Sequence, residues 1–154
     1  MEMSQQMPKK SHSQQQMIFK LLSIEVLSSQ LCYPELKAIE TKEFKFNIES
    51  NAGFDLEKNQ VFVTIHIKVM DQYMKTLFGS IQTGMAYEIE NMKGHMIEGD
   101  EGKTSLPIQM VEVLNSVSVS TTRGIMYSRF MGTYLGKAFL PIIDPKAMSA
   151  NQSK

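Results

Sequence analysis

Over its first part the chain alternates apolar and polar residues with a period of two, the spacing of strands that bury one face. Residues 18–28 read as a first strand, with Leu22, Ile24 and Val26 on one side and Leu21, Ser23, Glu25 and Leu27 on the other. A connection containing Pro34 follows, and its YPELKA segment has the makings of a helical turn. Phe44 to Ser50 is a second strand, Phe44, Phe46 and Ile48 set against Lys45, Asn47 and Glu49. Asn51-Ala52-Gly53 and Lys58-Asn59 mark an irregular stretch. Gln60 to Asp71 carries the cleanest alternation: Val61, Val63, Ile65, Ile67 and Val69 share a face, opposite Phe62, Thr64, His66 and Lys68. After a short turn at Asp71-Gln72-Tyr73, a fourth strand runs from about Lys75 to Asn91, with Leu77, Ile81, Met85 and Ile89 on one side. Gly79 and Gly84 sit inside it, where a missing side chain allows a bulge or the close approach of another backbone.

The pattern then changes. Gly94, Gly99, Asp100, Glu101 and Gly102 form a loop, after which Thr104 or Ser105 is a candidate helix cap and Pro107 a candidate first-turn residue. Val117-Ser118-Val119-Ser120 alternates like a strand. Yet Met110, Val113, Leu114, Val117, Thr121, Gly124, Ile125 and Ser128 recur at spacings of three and four. The length of the run and its lack of turn residues favour helix. Small residues on that stripe leave room for a second helix to pack closely.

Four antiparallel strands followed by one long C-terminal helix make an α+β fold, the sheet packed on one face by the helix. One helix is too narrow to cover four long strands, and the third strand carries Phe62 on its second face. Apolar area is therefore left over, to be buried by self-association or used as a working surface.

Composition narrows the partners. At 154 residues the chain is long enough for one domain with a real core. Residues 1–16 are a polar, Gln-rich arm expected to be disordered, 17–146 the folded domain and 147–154 a flexible tail. Sixteen basic and sixteen acidic residues cancel, which offers nothing to nucleic acid or an anionic membrane. A single cysteine, Cys32, fits a reducing compartment, and no apolar segment of export or membrane-spanning length is apparent. A cytoplasmic protein, not inserted in a membrane, is expected. There are thirteen methionines and no tryptophan; methionine suits either irregular core gaps or surfaces that accept varied partners. Met3 and Met7 lie in the arm.

Candidate chemistry is thin. His12, His66 and His95 are far apart and form no ligand spacing with Cys32, so neither metal nor cofactor is expected. Glu88 and Glu90 share a strand face but read as solvated. Asp100-Glu101 lacks the ligand ladder of a calcium loop, and the Gly79–Gly84 run lacks the Lys-Ser/Thr of a phosphate loop. No nucleophile elbow is present. An enzyme is not expected.

Several short motifs occur in an order that resembles the SecB family of protein-export chaperones. They are KTLFGSIQTGMAYEIENM at 75–92, Arg123-Gly124, Gly132-Thr133 and Leu140-Pro141-Ile142-Ile143-Asp144-Pro145, the likeness covering about residues 18–146. The resemblance implies an ATP-independent holdase, assembled as a homotetramer, a dimer of dimers with long helices between two sheets. It would bind unfolded or labile client polypeptides in apolar grooves. It implies that Leu77, Ile81 and Thr83 face the helix layer with Met110, Val113, Leu114 and Val117, the oligomer interface. It places client contacts at Leu31, Tyr33 and Leu36 before the second strand and at Phe139, Ile142 and Ile143 after the helix.

The chain departs from that family where exporting members carry acidic residues for the translocation motor ATPase. Ser28 and Ser80 fall at two of those positions, which counts against docking to the motor. Only KAMSANQSK follows the proline-rich segment, too short for a stable second helix. A dedicated oligomeric adaptor or scaffold for one partner, such as an antitoxin-like client, is the alternative function.

Overall fold

A computed structural model describes residues 16–33 and 43–149. The arm up to Gln15, Leu36 with most of the YPELKA segment, and residues 150–154 of the tail lie outside the described residues. Strands β1 (Phe19–Leu31), β2 (Lys45–Asp55), β3 (Gln60–Met70) and β4 (Leu77–Ile89) form one antiparallel sheet in the order β1-β4-β3-β2. A single helical turn α1 (Met92–His95) and a small ribbon of β5 (Ile97–Glu98) and β6 (Thr104–Ser105) lead to the long helix α2 (Ile108–Phe130). A 3₁₀ turn at Tyr134–Lys137, an extended return segment and a short helix α3 (Pro145–Ser149) complete the chain.

The central strands follow their alternation. Val61, Val63, Ile65, Ile67 and Val69 of β3 are fully buried with Ile81, Met85, Tyr87 and Ile89 of β4, on the face covered by α2. Burying each Val or Ile side chain is worth about 1.5–3 kcal/mol, so this double row anchors the fold. Tight turns fix its register. Between β2 and β3, Asp55 Oδ1 accepts hydrogen bonds from the amides of Glu57 and Lys58, and Asn59 takes the left-handed conformation. Between β3 and β4, Asp71 Oδ1 accepts from the amides of Thr76 (2.9 Å) and Lys75 (2.6 Å). Those bonds hold its carboxyl below the usual aspartate range, the Thr76 amide first, against the opposing effect of burial.

Helix α2 meets the sheet through an unusually polar stripe. Met110, Leu114, Ser118, Thr122, Met126 and Phe130, spaced by four, are buried together with Asn115 and Val119. Thr122 Oγ1 pairs with Thr83 Oγ1 at 2.6 Å, the Ser118 hydroxyl with that of Tyr87 at 2.7 Å, and Ser50 Oγ donates to Asn115 Oδ1 at 2.7 Å. Buried hydroxyls are costly unless bonded, so these pairs permit one seating of the helix and penalise sliding. They also explain the strand-like Val-Ser-Val-Ser: Ser118 and Val119 face the sheet while Val117 and Ser120 do not.

Four local expectations are corrected. β1 contains two register shifts, at Leu22 and Leu27, so Leu21 joins Ile24 and Val26 on the helix side instead of facing away. β2 runs on through Asn51-Ala52-Gly53 to Asp55, paired throughout with β3. Thr104 and Ser105 pair with β5 and do not cap α2; Pro107, expected in the first turn, occupies the cap position itself. The tail begins with α3, whose first turn is closed by Asp144 Oδ1 accepting from the Lys146 amide, so a short helix forms where none was expected.

Gly79 is where the close approach occurs. A Cβ there would stand 2.8 Å from the Gln30 carbonyl oxygen of β1 and 2.7 Å from Leu135 Cδ1. The first contact is backbone and cannot step aside without parting β1 from β4. Gly79→Ala is expected to destabilise the protein by about 1–3 kcal/mol through overpacking, read from the urea midpoint; an unchanged midpoint would contradict this packing.

Candidate client-binding groove

α2 packs mainly on the inner strands β3 and β4 and reaches the edge strand β2 through Asn115 and Ser50. On the β2 side, the return segment runs back beside the strand and is pinned by Arg123. Its Nε donates to the Leu140 carbonyl at 3.1 Å and its Nη2 to the Pro141 carbonyl at 2.8 Å. Upstream, Thr133 stabilises the 3₁₀ turn by accepting from the Leu135 amide, and Tyr134 Oη donates to the Phe78 carbonyl at 2.7 Å. Leu135, Ala138 and Leu140 are buried by this arrangement, which turns Phe139 and Ile142 outward.

Between β2 and the return segment lies an open groove in two connected parts. One, of about 480 Å³, is walled by Phe44, Phe46, Phe139, Pro141 and Ile143. The other, of about 530 Å³, continues past Ile48 and Ser50 to Ala147 and Met148. Its charged rim is largely neutralised: Glu43 pairs with Lys45 at 3.0 Å, and Glu49 meets Lys68 at 3.3 Å and His66 at 3.9 Å. A trough with apolar walls at Phe44, Phe46, Ile48, Phe139 and Ile143, and polar groups from Glu49, Ser50 and Asn51 along one part, suits the mixed surface of a polypeptide. Among the described residues no three His, Cys, Asp or Glu side chains come together as a metal cluster, and no helix is long and apolar enough to cross a membrane.

The structure distributes the expected site residues unevenly. Phe139 is 66% exposed with its ring stacked on Tyr127 (centroids 5.8 Å apart), Ile142 is 94% exposed and Ile143 is half-buried in the groove wall. Tyr33 is 87% exposed and Leu31 half-buried; Leu36 is outside the described residues. Tyr33 joins the groove through an aromatic ladder, Tyr33 to Tyr134 to Phe78 to Phe44, with centroids 6.4, 6.1 and 5.8 Å apart. Phe44, Phe46 and Ile48 were read from sequence only as a strand face, Arg123 only as part of a short motif, and Tyr127 not at all. The signal for the first three was present in the apolar face of an edge strand.

The residues expected at an oligomer interface separate into two sets. Ile81, Thr83, Met110 and Leu114 are buried within the chain between sheet and helix, and Leu77 is half-buried. The four buried ones offer no surface to another copy, because sheet and helix already cover each other there. Val113 and Val117 remain exposed. Asn115 and Arg123 reach β2 and the return segment, so by helical geometry the opposite flank, with Val113, Val117, Thr121 and Gly124, lies on the β1 side. There the helix-side residues Phe19, Leu21 and Ile24 of β1 are exposed as well. Of the methionines, Met85, Met92, Met110 and Met126 fill the core.

No protein-family model and no curated protein matches this chain. Solved structures do. The chain is similar to the Mycobacterium tuberculosis Rv1957 SecB-like chaperone, solved in complex with a ChAD peptide from the Rv1956 HigA1 antitoxin. Identity is 13%, the TM-score 0.49, and the match covers 82% of this chain and 86% of that one. It is also similar to a protein of unknown function from Streptococcus agalactiae, at 12% identity and a TM-score of 0.41 over 75% of this chain and 90% of the other.

Proposed function

We propose that this protein is an ATP-independent holdase that binds unfolded or labile polypeptides in the groove between β2 and the return segment. The observation that carries the reading is the groove itself: apolar walls left open beside the core, with Phe139 and Ile142 turned outward and the rim charges paired. A non-native segment gains by moving apolar side chains out of water, at roughly 25 cal/mol per Å². The term is non-directional, so many clients qualify, and no nucleotide or catalytic group is required. Holding follows by mass action, the bound client being withdrawn from aggregation.

The working unit in this reading is an assembly of copies, a dimer of dimers, with the β1 row and the Val113–Gly124 flank in the seam. Burying both covers the exposed apolar row on the helix side of β1. The sheet face away from the helix presents Ser28, Gln30 and Gln82 beside β1, which favours holding over docking to a translocation motor.

The test is dilution of a denatured protein into buffer with and without this chain, in the absence of nucleotide. Suppressed light scattering near equimolar ratio is expected. No suppression at several-fold excess would overturn the reading. Binding to one folded or peptide partner with indifference to unfolded chains would replace it with a dedicated adaptor.

A further inference from the structure

Each part of the groove touches a run of consecutive residues, 43–46 leading into β2 and 48–51 within it. Successive side chains of a strand point to opposite faces of the sheet, so a trough that meets every residue of a run lies along the strand's edge. β2 is such an edge, paired with β3 on one side only.

Its main-chain groups can be assigned a direction. The Ile89 amide donates to the Asn59 carbonyl at 2.8 Å, so the odd-numbered residues of β3 bond to β4 and the even-numbered ones to β2. His66 and Lys68 stand opposite Glu49 and Asn47, whose N–H and C=O groups are thereby used. Those of Phe46 and Ile48 point the other way, along the groove, and have no partner among the described residues. The side chains of these two residues, on the helix side of the sheet, supply the apolar wall.

The return segment does not close this edge. Pro141 has no N–H to give, and the Leu140 and Pro141 carbonyls are taken by Arg123. Two donors and two acceptors of β2 therefore stay open opposite Phe139 and Ile143. The ion pairs on the rim add no net charge. An extended main chain is the complement of such an edge, because its N–H and C=O dipoles alternate at the same spacing and its apolar side chains can share one face. A helix has its main-chain groups already bonded internally and offers nothing to match.

Building on the holdase reading, we propose that the client joins the sheet as a fifth strand beside β2, its main chain exchanging hydrogen bonds with those of Phe46 and Ile48. Its apolar side chains on the helix side pack against Phe139 and Ile143. Affinity then depends on the capacity of a segment to extend as well as on its greasiness, and extended segments are favoured over helical ones of equal apolar content.

The experiment titrates a labelled peptide of about ten residues, Val or Leu alternating with Thr, into the full chain, followed by two forms N-methylated at alternate amides. One form is methylated at the apolar residues and the other at the threonines. An added strand turns one set of amides to β2 and the other set away from it. Methylating the first set is expected to weaken binding by about 10–100-fold, the effect of losing two hydrogen bonds, and methylating the second by less than about twofold. In ¹⁵N spectra the Phe46 and Ile48 amide protons are expected to move downfield when the unmethylated peptide is added. Equal binding by the two methylated forms, or unmoved Phe46 and Ile48 amides while other groove signals shift, overturns this inference and leaves the holdase reading intact. A chain that binds none of the three peptides also overturns it, and light scattering then decides the holdase reading by itself.

Discussion

Phe139→Asp is expected to weaken the affinity for an unfolded client by roughly 10–100-fold while leaving the protein folded. Two thirds of the Phe139 surface is exposed, and its one aromatic neighbour, Tyr127, is itself exposed, so the fold does not rest on this ring. A client that covers the ring gains about 1.5–3 kcal/mol, and the aspartate forfeits that gain and must in addition be desolvated. At 1.4 kcal/mol per tenfold the stated range follows. Binding of labelled, denatured client is the measurement, with the urea midpoint as the control for folding. Phe139→Leu is expected to recover most of the affinity. An aspartate variant that binds as the parent does would remove the return segment from the site.

Val117→Asp is expected to take the proposed assembly apart. Val117 is exposed on the flank of α2 that faces β1, next to Val113 and to Gly124, where a Cβ would meet nothing within 4 Å. Open space beside a glycine and two valines is room for another copy. In a two-fold seam each copy would bring its own carboxylate, unpaired and facing its twin, at a cost of several kcal/mol. Sedimentation should report a large drop in mass with the secondary structure retained. An unchanged mass would mean that this flank is not the seam, and a monomeric parent would mean that the β1 row is not buried by self-association.

The sequence made some of this legible and hid the rest for physical reasons. β3 was readable because its neighbours and α2 bury the same alternating residues, and Val or Ile fills every one of those positions. The bulges in β1 were not, since an inserted residue shifts the register without altering composition. β2 outran its expected end because Asn51 and Gly53 point to the face away from the helix, where water accepts what a core would not. α2 was ambiguous because Asn115, Ser118 and Thr122 occupy core-facing positions, and their partners Ser50, Tyr87 and Thr83 lie far away in the chain. The same distance effect governed the groove. Phe139, Ile142 and Ile143 were placed at a client site by the resemblance, yet the opposing wall of Phe44, Phe46 and Ile48 was indistinguishable from an ordinary strand face. That Arg123 clamps carbonyls 17 and 18 residues downstream is a tertiary fact no local pattern carries.

Calorimetry against one polypeptide in two states bears most directly on the whole account. A disulfide protein offered reduced and unfolded is expected to bind saturably with a negative heat-capacity change, the mark of apolar surface leaving water, while its native form releases no heat. Equal binding of the two forms, or none of either, would contradict the idea that this chain works by sheltering exposed apolar segments.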